Sequence, residues 1–481
     1  MMITIVRIFI FTTLIIFVSL PGYGQHNKAG EEDTPVFYER INDDDSLKNV
    51  LHDLGTFEGH FRTFFMNTIN EGSNPNYFAL GMGGGLAYYS PIIKNFQVGL
   101  SGFIIYNLAS SDLAPRDGFS NRYELGLFDV ADPGNRSDLD RLENLYLRYY
   151  LNSRQKSFAQ VGKFHIRTPL INLQDGRMRP NLQEGLWFEF REWEKVKMTA
   201  GWLWDTSPRS TVEWYGIGES IGLYVNGRAV NGKPASYFGH IESNKILISN
   251  VEWTPLKNVN YQIWNYYVDN LFNTSLQKVE VKKKDQERTW MAGFQYLWQH
   301  SMSGDDLPVE NQYISPDEQS HVLSTRIGFT NDRSAQGWSL NYTRITSHGR
   351  FLFPREWGTE SLYTFMNRER NEGAGDVHAL MLEHSRHVDK DRHLSLRARA
   401  GAYKMPAIGN AALNKYAMPS YYQLSLEGNY KFKGFLHGLE TQMLYTYKGD
   451  LDTGSATEYE PALTHNKTNL HHVSLTLNYY F

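Results

Sequence analysis

The arginines of this sequence are the residues whose type and spacing most directly suggest chemistry. Guanidinium groups stay charged and bind carboxylates in a forked geometry. Side chains two positions apart in a strand point to the same side, so Arg397 and Arg399 must share one face. A row of arginines along a pore would pass a carboxylate from site to site, or would pair with acidic residues and brace the wall. The arginines on the polar register of alternating segments are Arg62, Arg148, Arg326, Arg397 and Arg399.

Arg344 is the exception to this placement. Simple alternation puts it on the apolar register with Trp338, Leu340 and Tyr342. A charge that faces lipid near the midplane of a membrane costs about 2–4 kcal/mol. We therefore expect Arg344 to lie outside the hydrocarbon band or to follow a β-bulge.

Two motifs that could belong to an enzyme fail on their context. Residues 218–222 have the spacing of a nucleophile elbow around Ser220, but that motif has meaning only in a strand–turn–helix, and here it lies in a long glycine-rich connection. Glu383 and His387 would share one face of a strand while His384 takes the other, so they should not converge on one metal ion. The chain has no cysteine, which removes thiolate sites. We predict no enzyme, no metal and no cofactor.

The elements that must position these residues repeat one pattern. From residue 56 onward, segments of roughly ten residues alternate apolar and polar side chains, as strands do when their two faces meet different media. The last segment is the clearest, because Val473, Leu475 and Leu477 oppose Ser474 and Thr476. The pattern predicts an all-β protein.

Short and long links alternate between these segments. Outer-membrane barrels show this alternation, with short periplasmic turns and long external loops. The turns imply about eighteen strands, the even number expected of such barrels, although the segment 275–283 is assigned as a strand mainly to keep the number even. The long links are residues 109–141, 205–244, 347–373 and 449–467, and the tight turns lie near 90–91, 152–153, 192–193, 255–256, 284–285, 332–333, 388–389 and 434–435.

Composition supports a barrel and excludes other classes. The 481 residues have a mean hydropathy of −0.48 with 14% aromatic residues, which is too polar for a helical membrane protein and unusually aromatic for a soluble one. Alternating strands diluted by polar loops explain both values. The net charge of −4 argues against a nucleic-acid binder.

The N-terminus predicts export. In residues 1–24, Arg7 precedes an apolar run that ends before Pro21, which is typical of a cleaved signal peptide. The run falls short of the roughly 20 residues of a membrane-spanning helix. Residues 25–55 form a polar, acidic segment, and its aspartates at 43–45 lack the spacing of a calcium loop. Residues 56–481 are then the predicted barrel.

Five blocks of the chain form a recognisable series: YLRYY at 146–150, VGK at 161–163, RMRPNLQEG at 177–185, FPREWG at 353–358 and RERNEG at 368–373. In these blocks the chain resembles the OprD-type porins, which are outer-membrane barrels of eighteen strands that admit small solutes. The resemblance covers most of the mature chain in order. It implies that the third external loop folds into the barrel and narrows it, and that basic residues form a ladder along the pore. It also implies that the substrates are amino acids or other small carboxylates.

The resemblance assigns roles to particular residues. Residues 166–183 hold the place of the inward-folded loop, so Arg177 and Arg179 become candidates for the constriction. Asp175 and Glu184 are candidates for an acidic surface that receives a substrate ammonium group. The ladder is matched by strand face to Arg148, Arg326, Arg397 and Arg399.

These observations predict a passive, substrate-selective porin in the outer membrane of a Gram-negative bacterium. Its expected partners are outer-membrane lipid and small carboxylate or amino-acid solutes, with no nucleic acid, and the pattern suits a monomer or a trimer equally. Three alternatives stay open: a general or anion-selective porin without a defined ligand, an outer-membrane enzyme such as a lipase, and an adhesin.

Overall fold

The computed structural model describes residues 55–72, 75–114, 123–152, 154–173, 176–452 and 468–481. The predicted signal peptide (1–24) and nearly all of the acidic segment that follows it lie outside these residues, as does Asp175. Within the described residues, no helix is long and apolar enough to cross a membrane.

The described chain forms a closed antiparallel β-barrel, which confirms the predicted fold class. All nineteen strands belong to one sheet, and the two-residue β8 is a small addition from a loop, so eighteen strands make the wall. The barrel closes because β1 pairs with both β2 and β19. The strands are β1 (Thr56–Asn70), β2 (Tyr77–Tyr89), β3 (Phe96–Ser110), β4 (Leu139–Tyr150), β5 (Phe158–Phe164), β6 (Leu182–Trp193), β7 (Val196–Ser207), β8 (Tyr215–Gly216), β9 (Ile246–Leu256), β10 (Val259–Val268), β11 (Phe272–Asp285), β12 (Arg288–Ser301), β13 (Gln319–Asn331), β14 (Gln336–Ile345), β15 (Val377–His387), β16 (Leu394–Lys404), β17 (Tyr421–Lys431), β18 (Leu439–Asp450) and β19 (Leu470–Tyr480).

The tight turns lie where the sequence predicts them, and β11 confirms the strand near 275–283. Two external links, those after β1 and β10, are shorter than a strict alternation of short and long links would give. The external loops used below are named by their order: L2 (111–138), L3 (165–181), L4 (208–245), L7 (346–376) and L8 (405–420). Short helical turns lie at Leu125–Leu127, Ile217–Ser220, Val309–Asn311 and Gly434–Leu436.

The polar register of the strands faces the interior of the barrel. On β19, His472, Ser474 and Thr476 are buried, while on β4 the apolar Leu145 and Leu147 are exposed. This arrangement reverses that of a soluble sheet, because the medium outside a membrane barrel is hydrocarbon. The alternation therefore fixes which arginines point into the lumen.

Arg344 lies on the outer face at the external end of β14. The pairing of β14 with β13 and β15 runs without a register shift, so no bulge turns the side chain inward. Its Nη2 lies 2.6 Å from Asp376 Oδ1, and its Nη1 donates to the Val377 carbonyl at 3.2 Å. Of the two explanations that the sequence allowed, a position at the strand end is the one observed.

A run of glycines in β2 makes room for a side chain beneath the candidate site. A Cβ added to Gly83 or Gly85 would overlap the ring of Phe103 on β3. The ring of Phe103 in turn lies 4.1 Å below the guanidinium carbon of Arg179. Small residues at this place therefore let an arginine of L3 approach the barrel wall.

Candidate functional site

L7 enters the barrel and is tied to its wall on both sides of the strands that it joins. Gln295 of β12 donates Nε2 to the carbonyl of Ser361 at 3.1 Å, and Gln423 of β17 donates Nε2 to the carbonyl of Asn367 at 2.8 Å. Trp357 of the same loop is completely buried. L7 therefore lies inside the barrel and narrows the lumen.

L3 folds inward beside L7, as the resemblance implied. Asn172 of L3 donates Nδ2 to the carbonyl of Thr359 at 2.7 Å, and the amide of Ser361 donates to the carbonyl of Pro169. Met178 of L3 is buried. The constriction is thus built from two loops. The sequence predicted the inward folding of L3 but not that of L7.

Arg179, a predicted constriction residue, is held by partners on every side. Its Nε and Nη2 donate to the two carboxylate oxygens of Glu143 on β4. The side chains of Arg179 and Glu143 are 1% and 0% exposed. Its Nη1 also lies 3.0 Å from Nδ1 of His60 on β1. Arg179 therefore ties L3 to the wall. Glu143 was missed because nothing in its local sequence marks it as the partner of a residue 36 positions away.

Arg177 belongs to a different arrangement, which we call the loop arginine cluster. Its guanidinium lies over Gly126 of L2, and Nη1 of Arg368 reaches within 3.4 Å of the position a Cβ would take on Gly176. Burial, together with repulsion from Arg368 and Arg370, lowers the pKa of Arg177 to about 9. Burial and the nearby Arg177 also lower the pKa of Arg209. The cluster comprises Arg177 of L3, Arg209 of L4, and Arg368 and Arg370 of L7.

Among the described residues, three carboxylates lie beside the loop arginine cluster. Glu124 of L2 is fully buried and accepts the hydroxyl of Thr68 at 2.5 Å. Burial raises the pKa of Glu124 to about 7, so near neutral pH it carries only part of a negative charge. Glu360 lies 3.9 Å from Nη1 of Arg370, and Glu372, which is paired with Arg355, also faces Arg370. The four guanidinium groups therefore outnumber the described carboxylates beside them.

The predicted ladder residues of β16 meet carboxylates on the strands beside them. Nε of Arg399 donates to Oε2 of Glu383 on β15 at 2.6 Å, and its Nη1 lies 3.5 Å from Oε2 of Glu427 on β17. Arg397 stands opposite Glu427 and Ser385 in the pairing register. This part of the wall contains its own neutralising charges.

The other predicted ladder residues lie on the interior face and bond neutral groups. Nε of Arg326 donates to Oδ1 of Asn341 at 2.8 Å, and Nε of Arg148 donates to Oε1 of Gln160 at 2.9 Å. Arg62 is buried on the interior side of β1. These neutral acceptors orient both guanidinium groups on the interior face, and Arg326 also faces the carboxylate of Glu383.

Of the two acidic candidates, Glu184 lies within the described residues. It is paired with Lys163 of β5, whose ammonium group also lies 3.7 Å from the ring centre of Trp214. Asp175 lies outside the described residues, so its place in the site stays a prediction.

Ser220 and His384, which belong to the two enzyme-like motifs, make hydrogen-bond and packing contacts within the protein. Ser220 is buried, donates its hydroxyl to the Ile217 carbonyl at 2.7 Å and accepts Nε1 of Trp357 at 2.9 Å. His384 packs against Trp338 on the outer face, with 4.2 Å between ring centres. Ser220 therefore fixes L4 to L7.

Three possible metal ligands lie in the turn between β15 and β16. Ligand atoms of Asp389, Asp391 and His393 fall within 4.8 Å of one another. Asp389 already accepts the backbone amides of His393 and Leu394, and Asp391 is paired with Lys433. These contacts account for the group as a hydrogen-bonded turn.

Comparison with known proteins gives a family match and a shared fold. Residues 142–372 match the family model described as outer membrane porin, OprD family. No curated protein sequence matches the chain. The match spans β4 to the inner part of L7 and therefore includes L3, Arg179 and the whole loop arginine cluster.

Solved porin structures share the barrel at low sequence identity. Pseudomonas aeruginosa OccK9 (OpdG) is 13% identical, covers 88% of this chain and 97% of its own, and has a TM-score of 0.67. Acinetobacter baumannii OccAB2 is 12% identical, covers 89% and 99%, and has a TM-score of 0.68. Pseudomonas aeruginosa OpdK, solved with vanillate, is 13% identical, covers 88% and 98%, and has a TM-score of 0.65. The predicted resemblance is thereby confirmed: residues 142–372 match the OprD family of outer membrane porins, and the described barrel has the fold of solved porin structures.

Proposed function

We propose that this porin is a passive channel selective for small carboxylates, and that the loop arginine cluster is its selecting site. The observation that carries the proposal is the excess of guanidinium groups where L3, L4 and L7 meet. Like charges held together in a partly buried site repel one another, so an entering carboxylate would be attracted and would relieve that repulsion. Arg177 and Arg368 are the members we expect to contact it first.

The wall arginines divide into two supporting roles in this proposal. Arg148 and Arg326, which bond neutral acceptors, extend the positive field along the lumen. Arg399, which bonds two carboxylates, braces the wall. The proposal concerns carboxylates rather than amino acids, because Glu184, the described candidate for an ammonium partner, is already paired with Lys163.

The test is conductance through planar bilayers, with reversal potentials measured in gradients of chloride, formate and vanillate salts. Vanillate is included because the OpdK structure was solved with it. In the double variant Arg177→Ala, Arg368→Ala, we expect the permeability of carboxylates relative to chloride to fall about tenfold or more, since charge-assisted hydrogen bonds are lost. The matched control is Arg344→Ala on the outer face. An unchanged carboxylate preference in the double variant would overturn the proposal.

A general porin without a defined ligand is the second candidate, and the field of Arg148 and Arg326 would suit it. Liposome swelling separates the two, because a general porin admits neutral sugars and carboxylates of equal size at equal rates. We expect no catalytic turnover, since Ser220 is buried against Trp357. Export stays a prediction, which N-terminal sequencing of the mature protein would test by a start at Gln25.

A further inference from the structure

Arg368 of the loop arginine cluster is held by a histidine of the barrel wall. Its Nε donates to Nε2 of His472 on β19 at 3.0 Å. An arginine nitrogen can only donate, so Nε2 of His472 must be the ring nitrogen without a proton. The geometry therefore fixes one tautomer of a neutral imidazole, with its proton on Nδ1.

That tautomer completes a directional chain of hydrogen bonds. Nδ1 of His472 lies 2.9 Å from Oγ1 of Thr68, and the Thr68 hydroxyl donates to Oε1 of Glu124 at 2.5 Å. Every donor in the chain from Arg368 to Glu124 meets an acceptor. The chain joins L7, β19, β1 and L2, so it fixes two loops to the place where the barrel closes.

A second histidine makes the same kind of contact at the same seam. Nη1 of Arg179 lies 3.0 Å from Nδ1 of His60 on β1, and Nε2 of His60 lies 3.2 Å from Oδ1 of Asn478 on β19. This histidine is also neutral if it accepts from the arginine. The difference is that Arg179 is held by Glu143 as well, so His60 is the less critical of the two.

We propose that His472 is a positioning residue: its neutral ring holds Arg368 at the constriction, and the preference for carboxylates depends on that ring staying neutral. The inference rests on the proposed function of the loop arginine cluster. A protonated ring has no lone pair for Arg368 and places a third cation beside Arg368 and Arg177. Protonation of His472 would therefore push Arg368 out of its position.

The groups that face His472 do not favour a charged ring. They are the ring of Tyr123 at 5.2 Å between centres, Oε1 of Glu124 at 3.9 Å from Nδ1, and the guanidinium groups of Arg177 and Arg368. Glu124 is the one described carboxylate among them. Because the pKa of Glu124 is raised to about 7, it carries only part of a negative charge near neutral pH, and burial beside two guanidinium groups disfavours a charge on the His472 ring. Glu124 therefore does not compensate a protonated ring.

The experiment measures formate permeability relative to chloride, from about pH 7.5 to about pH 5, the range in which histidine titrates. Formate stays ionised throughout, and the ratio separates a positioned guanidinium from a general gain of positive charge. In the native protein we expect the ratio to stay high over this range, because the buried position of the ring and the two guanidinium groups beside it keep His472 neutral. His472→Gln, whose amide oxygen can accept from Arg368, should keep the ratio high at both ends. His472→Leu should lower it about tenfold throughout, the value of one charge-assisted hydrogen bond.

Two controls keep the inference separate from the proposed function. His378→Leu, on the outer face, should behave as the native protein does, and heat-modifiable gel migration shows that each variant is folded. A native channel without carboxylate preference at neutral pH would overturn the proposed function. A selective native channel whose ratio is matched by His472→Leu, or is not kept by His472→Gln, would overturn the role of His472 alone.

Discussion

The loop arginine cluster and the arginines of β16 place the same side chain in the same lumen, with opposite partners. Arg399 lies between Glu383 and Glu427, on the two strands beside its own. Arg177 and Arg368 lie among other arginines, and Glu124, a carboxylate that faces both, has a pKa raised to about 7. An ion pair within the protein holds an arginine in place, whereas clustered guanidinium groups raise the positive potential that a carboxylate in the lumen would meet.

This difference bears on the two roles that the sequence allowed for its arginines. The proposed function assigns guidance to the loop arginine cluster and bracing to the wall. Arg179 shows that position in a loop is not sufficient, because its bond to Glu143 makes it a brace within L3. The identity of the nearest acidic neighbour is the property that separates the two classes.

The largest effect is expected for the most buried brace. Glu143→Gln would leave the guanidinium of Arg179 buried without its counter-charge, which costs about 3–5 kcal/mol for a buried pair. Thermal unfolding followed by circular dichroism should show a clearly lower transition temperature. A variant as stable as the native barrel would mean that this pair does not act as a brace.

A smaller loss of stability is expected at the β16 wall. In Arg397→Ala, Arg399→Ala, the free energy of unfolding should fall by about 2 kcal/mol, because Glu383 and Glu427 lose charge-assisted bonds. The formate-to-chloride permeability ratio should change far less than in Arg177→Ala, Arg368→Ala. If both double variants lose carboxylate preference equally, the distinction between loop and wall fails.

A pH effect should follow from Glu124. Its carboxyl is neutral below a pKa of about 7 and ionised above it, where it adds a negative charge beside Arg177 and Arg368. The permeability of chloride relative to potassium should therefore rise as the pH falls from about 8 to about 6. In Glu124→Gln, the permeability of chloride relative to potassium should be high and should not change over this pH range. The same slope in native protein and variant would assign the effect to another group.

The smallest effect is expected at an exposed pair outside the lumen. Lys284 and Asp332, at the periplasmic turns, lie 2.8 Å apart with side chains 66% and 50% exposed. Lys284→Ala should leave both the unfolding temperature and the permeability ratios unchanged, since exposed ion pairs contribute little. A marked change here would show that the assays report on net charge rather than on the lumen.

Much of the fold followed from the sequence. The alternation of β4, β13, β16, β17 and β19 predicted which side chains face inward, and the tight turns were placed correctly. The weakest assignment, the strand near 275–283, became β11 and is one of the longer strands. Arg344 could be narrowed only to two explanations, because a strand end and a bulge give the same local pattern.

The site was predicted in part. L3 and the arginine-rich blocks of L7 were recognised, but the entry of L7 into the lumen, the pairing of Arg179 with Glu143 and the contact of Arg368 with His472 were not. Arg368 and His472 are 104 positions apart. A contact between residues so distant leaves no trace in the spacing of either.

By itself, the sequence determined the barrel, its strand register and the supply of arginines on the inner face, because a period of two is a local property of a strand between two media. Tertiary structure alone decided which groups each of these arginines contacts. Long loops fold back across the lumen and bring L2, L3, L4 and L7 against strands from every part of the chain. The contacts that form there determine whether a guanidinium meets a carboxylate, a neutral ring or another guanidinium.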